Sequence, residues 1–149
     1  MERGRLMGFQ ADVRAAAVEL LTDYASDAGV KLQVYPARPR SIFPPTAFVD
    51  LIRETIEYVG ITLRQRTPTA EIVVIHGIFD SKGAADQKDA FIDGFLDWVT
   101  DRYHTAGANT LVAVTATEDM PNYVPEWMPP EAQLVYYATR LTLEGFAGS

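Results

Sequence analysis

The chain has 149 residues, of which 48% are hydrophobic, and its formal charge is −7 from 20 acidic and 13 basic side chains. This length predicts a single domain, residues 1–149, with a substantial core. The lack of cysteine excludes disulfides and thiolate metal sites, and two histidines are too few for a histidine-rich metal site. The acidic balance disfavours a surface that binds nucleic acid, which requires clustered lysine and arginine.

The continuous apolar runs are too short to cross a membrane. IVVI and LVAV are among the longest, whereas a bilayer requires about 20 apolar residues. The first residues also lack a charged region followed by an apolar stretch, the pattern of a secretory signal. We therefore expect a soluble intracellular product that has no membrane partner.

The first part of the chain predicts one helix, one short strand and a stiff loop. Apolar residues recur at helical spacing through residues 10–28, and Gly29 follows at the position of a left-handed C-cap. A short strand is predicted at 31–35. The next ten residues, PARPRSIFPP, include four prolines, which lack amide donors and cannot form a strand ladder.

Residues 46–59 fit either a helix or a strand, because Phe48, Ile52 and Ile56 recur every four residues. We favour a strand, since β-branched residues are dense and the alternation continues through ITLRQR. The following run, TPTAEIVVIHGIF, predicts a strand buried on both faces or nearly so. Gly77 within that run indicates a bulge.

The second half predicts a helix over 84–104, then strands at 110–117 and 134–144. The loop between these strands, EDMPNYVPEWMPPE, is again rich in proline. The element order, α-β-β-β-α-β-β, lacks the regular alternation of a doubly wound parallel fold. We expect an α+β fold with a mostly antiparallel (mixed) β-sheet and two main α-helices packed on one face.

The pair His76-Gly77 stands at the end of an apolar run. This pattern is similar to the strand and turn with which the oxyanion hole of an α/β-hydrolase begins. The chain lacks the Gly-x-Ser-x-Gly elbow that such an enzyme requires. We therefore interpret His76 as a sheet histidine with one backbone or solvent partner. No catalytic, cofactor-binding or metal-binding residue is predicted, and we expect that the chain is not an enzyme.

The two proline-rich segments carry large side chains that are candidates for a protein interface. Aromatic residues on a preorganised loop bind a partner at low entropic cost. The alternative is that these side chains fold back onto the core of their own subunit. The candidate interface residues are Phe43, Tyr123, Trp127 and Met128.

The second predicted helix carries an aspartate every four residues. At about 100° per residue these side chains form one acidic face, and the aromatic residues gather on the opposite face. We call this acidic face the acidic ridge. It is either an ordinary solvated surface or a surface that faces a DNA channel or a basic partner. The candidate acidic ridge consists of Asp89, Asp93, Asp97 and Asp101.

The order of these elements resembles the tail terminator proteins of long-tailed bacteriophages, the tail completion proteins of the siphophage type. The resemblance runs from about Met7 to Gly145 and includes RQRTPTAEIVVIHGIFD, AADQKDAFIDGFLDWV and YYATRLTLEG. It implies a structural virion protein at the head–tail junction, which assembles in the bacterial cytoplasm and has no cofactor.

The same resemblance implies the partners. The protein would form a homo-oligomeric ring, a hexamer, on the tail tube protein, stop its polymerisation and join the head–tail connector or stopper protein. DNA would pass through the ring without sequence-specific binding. The alternatives are a neck or head-completion protein of a phage and, from a different class, a small ligand-binding or enzymatic α+β domain.

Overall fold

The computed structural model describes residues 9–60, 63–79, 83–105, 111 and 113–145. Its elements, in chain order, are α1 (Phe9–Ala28), β1 (Gln33–Tyr35), β2 (Thr46–Val59), β3 (Leu63–Ile78), α2 (Ala84–Thr105), β4 (Ala113–Tyr123), a short 3-10 turn (Pro130–Ala132) and β5 (Tyr136–Glu144). The strands form one five-stranded sheet in the order β1-β2-β3-β5-β4. Only β1 pairs in parallel, and the other neighbours are antiparallel. The predicted α+β class is confirmed.

Both helices pack against the same face of the sheet, which we call the helical face. Its side chains alternate along β2 and β3 with those of the opposite face, as the two-residue repeat of a strand requires. Helix α1 buries its apolar stripe here and ends at Gly29, whose φ of +68° is the predicted left-handed cap. The buried side chains of the helical face come from α1 (Val13, Ala17, Leu20, Leu21, Tyr24), the sheet (Ala47, Val49, Ile52, Ala70, Ile72, Val74, Leu141, Leu143), α2 (Phe91, Ile92, Phe95, Val99) and Leu111.

An aromatic cluster joins the two helices. The Tyr24 ring makes edge contacts with Phe91 and Phe95, at centroid distances of 5.3 and 5.1 Å. Gly94 permits this close approach, because a Cβ at that position would lie 2.5 Å from the Tyr24 hydroxyl oxygen. Trp98 lies at the edge of the cluster and donates its indole N–H to Asp27 Oδ2 at 2.9 Å. The predicted aromatic face of α2 is therefore confirmed.

The opposite face of the sheet, which we call the loop face, is covered at one end by the two proline-rich segments. Its buried side chains are Ile42, Phe48, Val73, Ile75, Tyr136 and Ala138, with Tyr35, Met120, Tyr123 and Trp127 packed against them. This second, smaller core explains why the centre of β3 is buried on both faces, as the sequence predicted. It also fixes the proline-rich segments on the sheet.

The hairpin of β2 and β3 extends well beyond its neighbours. Strand β1 pairs with β2 only at Thr46–Phe48, and β5 leaves β3 at Thr69. The two strands nevertheless stay paired to Val59 and Leu63. Residues 54–59 and 63–68 therefore form a two-stranded extension, which we call the arm.

The choice of a strand for residues 46–59 is confirmed, and so is the bulge predicted near Gly77, where the β3–β5 register shifts between Ile75 and Gly77. The prediction for 110–117 was wrong at its end, because β4 continues to Tyr123; residues 110 and 112 lie outside the described part of the chain. All of EDMPNY is therefore strand rather than loop. Pro121 is tolerated there because β4 is an edge strand, whose outer amides need no partner.

Two other strands begin two residues later than predicted: β1 at Gln33 rather than 31, and β5 at Tyr136 rather than 134. Within the described part of the chain, neither helix combines the length and apolar character needed to cross a bilayer.

Candidate interaction surfaces

Trp127 joins the two proline-rich segments to each other and to the sheet. Its indole N–H donates a hydrogen bond to the Pro39 carbonyl at 2.9 Å. The ring makes an edge contact with Phe48, 5.2 Å between centroids, and the Arg38 guanidinium lies over it at 5.1 Å. Because Pro39 and Trp127 belong to different loops, this contact fixes the position of one loop relative to the other.

The four candidate interface residues divide into two groups. Phe43 is 62% exposed, whereas Met128 is 7% exposed and buried, and Tyr123 and Trp127 are half-buried. Tyr123 and Trp127 contact each other, with ring centroids 6.3 Å apart. Met128 therefore folds back onto the core of its own subunit, and Tyr123 and Trp127 do so in part. Phe43 is the one of the four whose side chain is mainly exposed to solvent.

A network of ion pairs lies on the loop face beside Trp127. Arg140 donates to Asp50 at 2.9 Å and to Glu71 at 3.2 Å. Arg38 Nε donates to the other oxygen of Asp50 at 3.0 Å, and Arg53 pairs with Glu71. The β2–β3 register shifts between Val49 and Leu51, so Asp50 occupies a bulge in β2. The network links strands β2, β3 and β5 to the first proline-rich segment.

The titration of these groups follows from the network. Burial by itself would raise the pKa of Asp50, but hydrogen bonds from Arg140 and Arg38 hold it below its usual value. Burial would likewise lower the pKa of Arg140, yet the hydrogen bond to Asp50 raises it. Both groups are therefore charged at neutral pH. The network was not predicted, because its members lie on separate strands and no local pattern indicates their pairing.

An open cavity of about 560 Å³ lies next to the network, between β4, β5 and the second proline-rich loop. Charged and aromatic groups line it, among them Arg38, Asp50, Tyr123, Trp127 and Arg140. Burial, followed by the charge of Asp50, raises the pKa of Tyr123 to about 12. Tyr123 is therefore a neutral phenol at physiological pH, and three of its charged neighbours, Asp50, Arg140 and Arg38, pair with one another.

The structure places the acidic ridge on the exposed side of α2. Asp89, Asp93, Asp97 and Asp101 are all exposed. Asp89 accepts from Lys88 Nζ at 2.7 Å, and the same Nζ reaches Asp119 on β4 at 3.2 Å. Among the described residues, Asp93 and Asp97 make no ion pair. The centre of the ridge thus presents two adjacent uncompensated charges.

We expect Asp93→Asn combined with Asp97→Asn to raise the free energy of unfolding by about 0.6 to 1.5 kcal/mol. Like charges at a spacing of four residues cost roughly 0.2 to 0.5 kcal/mol per pair, and the double change removes all three pairs of the ridge. Urea unfolding measures the difference. Asp86→Asn is the matched control: it lies in the first turn of α2, where an acid stabilises the helix dipole, so stability should fall slightly.

His76 lies under α2 on the helical face and is 3% exposed. Its Nε2 is 2.9 Å from the buried hydroxyl of Thr139, and its ring makes edge contacts with Phe91 and Tyr137. The expected backbone or solvent partner is therefore a threonine side chain on β5. Burial, followed by the charge of Lys88, lowers the pKa of His76 to about 4. The imidazole is neutral at physiological pH.

A second cavity, of about 440 Å³, opens beside His76. Its walls are mostly apolar, and its polar side chains are Tyr24, His76 and Gln87. A neutral imidazole, a phenol and an amide can offer hydrogen bonds to a small molecule. No serine or thiol lies among these lining residues to act as a nucleophile.

Large apolar side chains are exposed at both ends of the long β3 strand. Ile56, Tyr58, Val59 and Leu63 are exposed on the arm. At the other end, Ile78, Phe79, Leu134 and Val135 are exposed, and the Phe79 N–H donates to the Val135 carbonyl at 2.9 Å. We call this second group the apolar end. Patches of this kind mark surfaces that contact other proteins or ligands.

Comparison with known proteins gives no family: no family model matches the chain, and no curated protein matches it. Among the described residues, no group of three or more His, Asp or Glu side chains is placed to hold a metal ion. The surfaces above therefore carry the functional interpretation.

Proposed function

We propose that this chain is a tail terminator protein of a long-tailed bacteriophage. As a structural virion protein, it caps the tail tube as a ring of six copies, stops tube polymerisation and offers its other side to the head–tail connector. The observation that carries the proposal is the exposed apolar surface at both ends of β3. With 16 residues, this strand spans about 50 Å, so one subunit can contact partners on two sides.

The rigidity of the loop face supports the same function. Trp127 and the ion pairs of Asp50 fix both proline-rich segments before any partner binds, which lowers the entropic cost of docking. Phe43 stands exposed on the first of these segments. A protein that must stop a growing tube benefits from a preformed contact surface, since it competes with the next incoming tube subunit.

Polymerisation of the tail tube tests this function directly. We expect that the tube protein of the same phage, polymerised with this chain present, gives shorter tubes of uniform length. Negative-stain electron microscopy should show a ring at one tube end, while tubes formed alone keep growing. Unchanged tube lengths without an added ring would contradict the proposal. A ring that binds the connector but ignores the tube would identify a neck or head-completion protein instead.

The alternative from another class, a small ligand-binding or enzymatic domain, is favoured by the cavity beside His76. Such a domain needs polar groups that converge on a concave site. The cavity offers Tyr24, His76 and Gln87 for this purpose. A monomer that forms no ring and ignores tail tubes, but is stabilised by a small molecule in this cavity, would favour the alternative.

A further inference from the structure

We propose that the arm of one copy docks on the acidic ridge of the next copy, with Arg64 and Tyr58 against Asp93 and Asp97. This inference rests on the proposed function as a ring, and it names the contact between neighbouring subunits of that ring. The starting observation is that, in the described part of the chain, no third strand pairs with the arm. Its two strands pair with each other, and at its base the Pro68 carbonyl accepts a hydrogen bond from the Gly145 N–H at 3.0 Å. A two-stranded hairpin is marginally stable in water by itself.

The arm also exposes apolar side chains that a solvated hairpin would not favour. Tyr58 is 76% exposed, and Ile56 next to it on the same face of β2 is exposed too. The paired residues on β3 are Arg64 opposite Tyr58 and Arg66 opposite Ile56. Directly opposed residues of an antiparallel pair share one face. This arm face therefore combines an aromatic ring, an aliphatic side chain and two guanidinium groups.

The charge of this face is opposite to that of the ridge. Glu54 lies on it and accepts two hydrogen bonds from Arg66, at 2.6 and 2.9 Å. Arg64 makes no ion pair within the described part of the chain. The face is thus left with one positive charge, in a chain whose net charge is −7. At the centre of the ridge, Asp93 and Asp97 make no ion pair with another described residue.

The spacing of the two surfaces also matches. Arg64 and Arg66, two residues apart on a strand, project about 6.7 Å from each other. Successive ridge aspartates, four residues apart on a helix, are separated by about 6 Å along the axis. A strand laid along α2 can therefore place Arg64 near one ridge carboxylate while Arg66, paired with Glu54, lies near the next turn of the helix. The contact would also relieve the repulsion between the ridge carboxylates.

The contact joins two different surfaces, so it is heterologous. An interface of this type leaves an unused arm at one end of a growing oligomer and an unused ridge at the other, and it closes into a ring when the rotation per subunit permits. An arm that paired with a second arm would instead be isologous and would stop at a dimer. This difference makes the two arrangements distinguishable by cross-linking.

Cross-linking is specific in this chain because it contains no cysteine. Tyr58→Cys and Asp97→Cys, combined in one chain and treated with a short bismaleimide, should give a ladder of covalent multimers on a denaturing gel. The highest rung reports the number of subunits in the ring. Each single variant should remain uncross-linked. Dimers from Tyr58→Cys alone would overturn the proposal in favour of an arm–arm contact.

Charge exchange gives an independent test by light scattering. We expect Arg64→Glu to weaken self-association about tenfold, because it replaces an attraction with a repulsion at the interface. Arg64→Glu together with Asp97→Arg should restore association, since each interface then regains an opposite pair. Arg40→Glu is the matched control: this exposed arginine lies on the first proline-rich segment, and association should not change.

The outcomes separate the two proposals. If the wild-type protein forms rings but the double-cysteine variant gives no covalent ladder, or if Arg40→Glu rather than Arg64→Glu weakens association, the arm–ridge contact is overturned and the ring proposal is kept. A wild-type protein that stays monomeric at every concentration, and also on tail tubes, overturns the contact and the proposed function together.

Discussion

Trp127→Ala should lower the free energy of unfolding by about 2 to 3 kcal/mol. Removing a fully buried tryptophan costs about 3 to 5 kcal/mol, and Trp127 is half-buried. The change removes the edge contact with Phe48 and the hydrogen bond to Pro39 at 2.9 Å. It also removes the ring under Arg38. Urea unfolding, followed by circular dichroism, measures the loss.

Two further variants identify the cause. Trp127→Phe keeps an aromatic ring in contact with Phe48 but loses the indole hydrogen bond. Its free energy of unfolding should therefore be only about 1 kcal/mol below that of the wild type. Phe43→Ala removes an exposed ring and should change stability by less than about 0.5 kcal/mol. If Phe43→Ala destabilised the protein as much as Trp127→Ala, Trp127 would not be the main residue that holds the two loops together.

Phe43→Ala and Trp127→Ala also separate folding from docking. Trp127 stabilises the surface from within, whereas Phe43 is available to a partner. We therefore expect Phe43→Ala to weaken tube binding while the fold is unchanged. Trp127→Ala should affect both, because it releases the first proline-rich segment from the second. The candidate residues of one predicted interface thus have two different physical roles.

Local patterns were sufficient for most of the fold. The apolar repeat of α1, its Gly29 cap and the β-branched residues of β2 each act within a few neighbours, so the sequence alone predicts them. The end of β4 could not be predicted in this way. Pro121 suits a strand only at the edge of a sheet, and the strand order that places β4 there is a property of the whole topology.

The interaction surfaces show the same limit. The aspartate repeat of the ridge is local and visible in the sequence. The ion pair of Arg140 with Asp50 joins residues 90 positions apart, and the hydrogen bond of Trp127 to Pro39 joins residues 88 apart. Contacts at such separations depend on which strands are neighbours. The partner of His76, 63 residues away on β5, was missed for the same reason.

The buried His76 should make stability depend on pH between about 6.5 and 4. Its pKa is about 4 in the folded protein, against about 6.5 in an unfolded chain. Between these values the unfolded state binds the extra proton, so stability is full above pH 6.5 and falls as the pH drops. The loss should reach about 3 kcal/mol at pH 4. Urea unfolding across this range measures it.

The charged groups around His76 act in both directions. Burial is the largest cause of the lowered pKa of His76, and the charge of Lys88 on α2 lowers it further. The charges of Asp119 on β4 and Asp89 on α2 raise it. Other groups contribute outside the window: the lowered pKa values of Asp50 and Glu54 stabilise the fold above about pH 4, and this stabilisation is lost below it. The change of the free energy of unfolding with pH between 6.5 and 4 is therefore caused mainly by His76.

Two variants test this assignment. His76→Leu removes the titrating group and should flatten the slope between pH 6.5 and 4, whatever its stability at pH 7. Thr139→Val removes the hydroxyl partner at 2.9 Å but leaves the imidazole buried. Because burial is the largest cause of the lowered pKa, Thr139→Val should keep most of the slope. A slope that survived in His76→Leu would show that another group binds the proton on unfolding.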